Sequence, residues 1–137
     1  MEIPRRSWEP SDAAFEAMML EIADRNSVIV DRLYYSRVAG IVARNPDGTD
    51  RQTIASQLEP LSPLALQPEP DNRFDPNAIA LVHRQHGTVG YIPRDTAEWL
   101  AKSLKNETWV ALVREVRAVS ATGPIGMVVV LARLKPK

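Results

Sequence analysis

Between Ser11 and Asn26 apolar residues recur at Phe15, Met18, Met19 and Ile22, the i, i+3, i+4, i+7 spacing of one helical face. With Ser11 or Asp12 as cap, the pattern predicts an amphipathic helix of about three to four turns that needs another surface to cover its stripe. From Ser27 the chain turns β-branched and aromatic, and Val28-Ile29-Val30, Leu33-Tyr34-Tyr35 and Arg37 to Ala43 read as strand. Asn45-Pro46-Asp47-Gly48 is a turn, after which Thr49 or Asp50 caps a short helix to about Leu58. Leu64 and Leu66 mark a short strand ending near Glu69. Asn77 to Arg84 and Thr88 to Ile92 predict two antiparallel strands joined by a hairpin loop at Gln85-His86-Gly87. Pro93 opens a helix with Ala97, Leu100, Ala101 and Leu104 on its apolar face and Trp99 off it. Trp109 to Val119 alternates in part. After the turn residues Thr122-Gly123-Pro124-Ile125-Gly126, the run Met127 to Leu131 reads as a well-covered strand. The expected fold is mainly β, a small antiparallel sheet or barrel of about six strands with two short helices and an N-terminal helical extension.

Composition narrows the function classes. The 137 residues are 45% hydrophobic and suit one globular domain with a modest extension. The absence of cysteine removes disulfide scaffolds, thiol nucleophiles and cysteine-based zinc knuckles. No apolar run approaches the ~20 residues of a membrane helix, and Met1 to Arg6 are not followed by the apolar core of a signal peptide. A soluble, cytoplasmic protein with no membrane partner is expected.

Charge is balanced overall, with 17 Lys+Arg against 17 Asp+Glu, which disfavours a protein that coats nucleic acid with a uniformly positive surface. The distribution is uneven. Residues 1 to 101 carry 10 basic and 15 acidic side chains, net −5, and residues 102 to 137 carry 7 basic and 2 acidic, net +5. Such a block permits a local basic groove but is more often a solvated face.

The stretch Glu69-Pro70-Asp71-Asn72-Arg73-Phe74-Asp75-Pro76-Asn77-Ala78-Ile79 places an aromatic ring and several side-chain acceptors on a proline-bracketed loop directly before a strand. A purely structural account has Asp71, Asn72 and Asn77 closing turns while Phe74 folds inward. A magnesium site at Asp71 and Asp75 would make a nuclease, but a third acid and a catalytic lysine are missing. His83 and His86, on or beside a hairpin, are ordinary surface histidines without a cysteine to complete a zinc set. Gly87-Thr88-Val89-Gly90 lacks the lysine of a phosphate loop. No activated nucleophile stands out, so neither an enzyme nor a metal or other cofactor is expected.

That same loop motif, followed after a short hairpin by Val89-Gly90-Tyr91-Ile92-Pro93-Arg94 and an Ala97-containing helix, resembles the HIRAN domain from about residue 37 to 134. This domain occurs alone in bacteria and phages and at the front of SWI/SNF-type DNA translocases. The resemblance implies an OB-like β-barrel over residues 37–137, with residues 1–36 as the extension. It also implies a DNA-binding module that captures the 3′-hydroxyl end of single-stranded DNA in repair, replication or phage DNA metabolism. Under it, Asp75 accepts a hydrogen bond from the terminal hydroxyl, Phe74 stacks on a terminal base, Asn72 bonds the sugar-phosphate, Tyr91 lines the pocket and Arg94 meets a phosphate. Phe74 stands where DNA-binding relatives carry tyrosine, and Asp71 where they carry an amide that faces the DNA. The upstream Arg-Tyr pair of those relatives has Arg44, Arg51 and Tyr35 as its candidates. The alternative is a non-enzymatic adaptor or homo-oligomer component that has lost DNA binding, in which Phe15, Met18, Met19, Ile22 and Trp99 form a shared contact.

Overall fold

Ser11 begins the first helix as the pattern requires, its hydroxyl oxygen accepting the N–H of Ala14 at 3.2 Å. The structure, a computed structural model, describes residues 10–118 and 123–137; the expectations at Met1 to Arg6, Val119 and Thr122 lie outside them. Helix α1 (Asp12–Arg25) precedes strand β1 (Val28–Arg37), helix α2 (Arg51–Ser56), and strands β2 (Pro63–Pro68), β3 (Ile79–His83) and β4 (Gly87–Tyr91). Helix α3 (Arg94–Ser103) and strands β5 (Thr108–Ala118) and β6 (Ile125–Pro136) complete the chain. Among the described residues no helix is long and apolar enough to cross a membrane.

The six strands form one antiparallel sheet in the order β1-β6-β5-β2-β3-β4. No ladder joins the edge strands β1 and β4. An antiparallel bridge just past the end of β1 ties that segment to β4 instead, in which Ala39 and Tyr91 exchange N–H to carbonyl bonds of 2.8 Å each. The barrel is therefore tied rather than closed. Gly40, at φ +69°, then carries the chain out of the sheet. For that reason β1 ends at Arg37 rather than running to Ala43, and Val42 lies 64% exposed.

Alternation gives the sheet two apolar faces. On one side Val129 and Leu131 join Ile79, Leu100, Trp109 and Val113 in the main core. On the other, Val130 and Ala132 meet Phe15 and Met19 of α1. Arg114, 1% exposed on β5, fixes the start of α1 by donating to Asp12 Oδ1 from Nε at 3.0 Å and to the Pro10 carbonyl, with its guanidinium 4.8 Å above the Phe15 ring. The extension is thus built onto the sheet, and β1 pairs with β6 along its whole length.

This packing corrects the expected shared contact of Phe15, Met18, Met19, Ile22 and Trp99. Phe15 is fully buried and Met19 3% exposed against the chain's own sheet. Trp99 lies across that sheet, edge-on to Tyr34 at 5.2 Å and to Trp109 at 5.5 Å. The two groups face opposite sides and cannot form one patch.

Strand β6 extends beyond Leu131 because its polar positions have partners that an apolar pattern does not register. Arg133 bonds Asp31 of β1 and Glu107, both at 2.8 Å, and Lys135 reaches Asp31 at 2.9 Å. Arg133 above all, then Lys135, hold the Asp31 carboxyl down to about 2. Lys137 pairs with Asp24, and Arg117 with Glu115. Much of the basic C-terminal block is thereby matched to acids rather than gathered into a groove.

Candidate nucleic-acid-binding site

The loop Glu69 to Ala78 joins β2 to β3 and is closed at its base by the Glu69 N–H donating to the Ala78 carbonyl at 2.8 Å. Pro70 and Pro76 bracket its tip, and inside it short side chains do the work of secondary structure. The Asn72 amide oxygen accepts the backbone N–H of Phe74 at 2.9 Å and of Asp75 at 3.1 Å. Asp75 Oδ1 accepts the N–H of Asn77 at 2.9 Å. These bonds turn Phe74 outward, where it is 81% exposed and the most exposed large apolar residue among those described.

In the next residue, Asp75, Oδ1 is taken by the Asn77 N–H and Oδ2 has no hydrogen-bond partner among the described residues. Oδ2 lies 3.9 Å from Nε of Arg94, too far for a hydrogen bond, and Arg94 itself stands 81% exposed at the first turn of α3. Arg94 and Asp75 thus form a loose ion pair at the loop, and Phe74, the residue before Asp75, is exposed. Asp71 is exposed on the same loop.

Below the rim, polar groups are paired with one another. Tyr91 directs its hydroxyl to both Glu69 carboxylate oxygens, at 3.0 and 3.1 Å, and the Asn72 amide nitrogen donates to Glu69 Oε1 at 3.0 Å. Burial first, then the Glu69 hydrogen bond, push the Tyr91 phenol up. Arg51, 9% exposed, sits 5.3 Å over the Tyr91 ring, donating from Nε to Asn45 Oδ1 at 2.8 Å and from Nη1 to the Gly40 carbonyl at 2.9 Å.

The structure separates the remaining candidates. Arg44 is held by its own turn, bonding the Gly48 carbonyl at 3.1 Å and facing Asp50 at 3.8 Å. Tyr35 points to the α1 side, where it bonds Glu16 at 2.7 Å and burial raises its phenol to about 12. Of the three residues weighed for an upstream pair, Arg51 alone contacts Tyr91. His83 Nδ1 is engaged as an acceptor for the N–H groups of Gln85 and His86, and its ring stacks on His86. An apolar groove of about 660 Å³ between α1 and the sheet, lined by Met19, Ile22, Leu66, Val110 and Leu134, contains none of the loop residues.

Sequence reasoning missed Glu69, the acceptor that joins Tyr91 to Asn72, although it heads the recognised motif. It also missed Gly90, whose missing side chain lets Val38 and Ala39 approach: a Cβ there would lie 2.4 Å from Val38 Cγ1 and 2.7 Å from the Ala39 carbonyl oxygen.

A family model described as HIRAN domain matches residues 34–132. The HIRAN domain of human HLTF superposes with a TM-score of 0.60 at 17% identity, covering 82% of this chain and 84% of that one. A Lactobacillus plantarum protein superposes with a TM-score of 0.62 at 21% identity, covering 79% of this chain and 96% of that one. No curated protein matches.

Proposed function

The chain belongs to the HIRAN domain family, and on that premise we propose that it is a DNA-binding module that holds the 3′-hydroxyl end of single-stranded DNA. One observation carries the reading: Phe74 is 81% exposed, and the next residue, Asp75, has Oδ2 free of hydrogen bonds and 3.9 Å from the exposed Arg94. A carboxylate only accepts hydrogen bonds, so it repels phosphate and suits a hydroxyl donor. At the end of a strand the last sugar presents such a donor, while within a continuous strand the same position carries a phosphate. Phe74 stacks on the terminal base without regard to sequence, and Arg94 neutralises the adjoining phosphate. This division of labour needs little net positive charge, consistent with a chain of formal charge zero. The role is binding rather than catalysis, in repair, replication or phage DNA metabolism.

The deciding measurement is fluorescence anisotropy with oligonucleotides ending in a 3′-hydroxyl or a 3′-phosphate. The hydroxyl end binds more tightly, and Asp75→Ala removes the difference. Phe74→Ala weakens the hydroxyl ligand about 5- to 150-fold, the equivalent of one lost base stack. Equal affinity of the unaltered protein for both ends refutes hydroxyl capture.

A further inference from the structure

The exposed Phe74 ring has little packing of its own, so its direction depends on hydrogen bonds within the loop. The double acceptor is the Asn72 amide oxygen, and an amide that turned over would present its nitrogen to the N–H groups of Phe74 and Asp75 and lose both bonds. Glu69 forbids that. Its carboxylate can only accept, so it holds the amide nitrogen on its own side and leaves the oxygen facing the loop backbone. Glu69 is in turn held from the sheet, because the Tyr91 hydroxyl donates to it and the Tyr91 backbone is fixed by two bonds to Ala39. Arg51 closes the series from beneath, its guanidinium lying over the Tyr91 ring with its Nε and Nη1 donors spent on Asn45 and Gly40.

We infer that Glu69 and Tyr91 are positioning residues that set the end-binding loop: they dictate the orientation of Asn72, and through it the placement of Phe74 and Asp75. Tyr91 and Asn72 thereby act on the ligand from behind rather than by touching it. The consequence for DNA rests on the hydroxyl-capture reading above, but the positioning itself does not.

Two measurements on the full chain separate these parts. In the free protein, amide hydrogen exchange of Phe74 and Asp75 speeds up at least about tenfold in Tyr91→Phe and in Glu69→Ala, because a bonded N–H becomes free, while amides of the β5–β6 ladder keep their rates. Glu69→Gln, which retains an acceptor oxygen, preserves more of the protection than Glu69→Ala. Unchanged Phe74 and Asp75 exchange in Tyr91→Phe and Glu69→Ala overturns the inference. In the anisotropy assay, the same two variants compress the preference for a 3′-hydroxyl over a 3′-phosphate about five- to tenfold. If the unaltered protein prefers the hydroxyl and both variants retain the full preference, positioning by Glu69 and Tyr91 is refuted while hydroxyl capture stands. If the unaltered protein shows no preference and exchange still speeds up, hydroxyl capture fails and the positioning role stands.

Discussion

Gly90→Ala tests whether the tie between the sheet edges carries weight in this fold. The backbone at Gly90 has an ordinary φ, so an added methyl meets no conformational penalty and its cost is steric. At 2.4 Å from Val38 Cγ1 and 2.7 Å from the Ala39 carbonyl oxygen, the methyl cannot be accommodated without moving the backbone of residues 38 and 39. That movement strains the Ala39–Tyr91 bridge, with its two bonds of 2.8 Å, and loosens Val38, which is 6% exposed in the main core. Overpacking of this kind costs about 1–3 kcal/mol and each bridge bond about 1 kcal/mol, so a loss of about 3 kcal/mol is expected. For a chain of this size that lowers the melting midpoint by roughly 10 °C. Urea denaturation followed by circular dichroism measures it. Gly126→Ala is the control, since the nearest atom to its added Cβ is the Arg117 carbonyl oxygen at an ordinary 4.0 Å, and it should stay within about 0.5 kcal/mol. If the two variants lose the same stability, the close approach at Gly90 is not what the geometry says it is.

The extension and the hairpin give two further tests. Phe15→Ala removes a fully buried ring between α1 and the sheet, and a loss of about 3–5 kcal/mol in urea unfolding is expected; a loss below about 1 kcal/mol would mean that α1 is not part of the folded unit. At the β3–β4 hairpin, burial first and the neighbouring His86 second hold the His83 pKa below its ordinary 6.5, and its Nδ1 must be unprotonated to accept the N–H groups of Gln85 and His86. The stability this contributes is complete above pH 6.5 and is lost as pH falls through the lowered value. An NMR titration that finds the His83 imidazole changing charge at or above 6.5 contradicts it, and His83→Asn should flatten the acid dependence of the hairpin amides.

Elements that announce themselves locally were legible. The Asn45-Pro46-Asp47-Gly48 turn leads to Asp50, whose carboxylate accepts the Gln52 N–H at 2.9 Å and caps α2. The glycine after Gln85 and His86 sits at φ +92°, where the hairpin needs it. What failed locally was decided by distant partners. Strand β6 reaches Pro136 through Asp31, an acid more than a hundred residues away on β1, a relation no window of sequence contains. The stripe on α1 suggested a surface awaiting a partner because periodicity reports that a face will be covered, not what covers it; Val130 and Ala132 do so from the far end of the chain.

The Glu69–Ala78 loop shows the same limit on a finer scale. Motif resemblance assigned Asn72 and Tyr91 to the ligand, and the turn chemistry of asparagine assigned Asn72 to the backbone; the hydrogen bonds follow the second account. A ring that stands 81% exposed, free of its own core, has no packing to fix it. Direction must then come from the backbone beneath, which is where Asn72, Glu69 and Tyr91 are spent. The Tyr91–Glu69 pair joins the end of β4 to the loop after β2, 22 residues apart, so neither partner identifies the other in the sequence. A carboxylate two bonds deep in such a network looks from sequence like one more loop acid, yet it differs from Asp75 in having both oxygens hydrogen-bonded, whereas Asp75 Oδ2 faces only the Arg94 guanidinium at 3.9 Å. Which acceptors are occupied, not the number of acids on the loop, separates the two carboxylates.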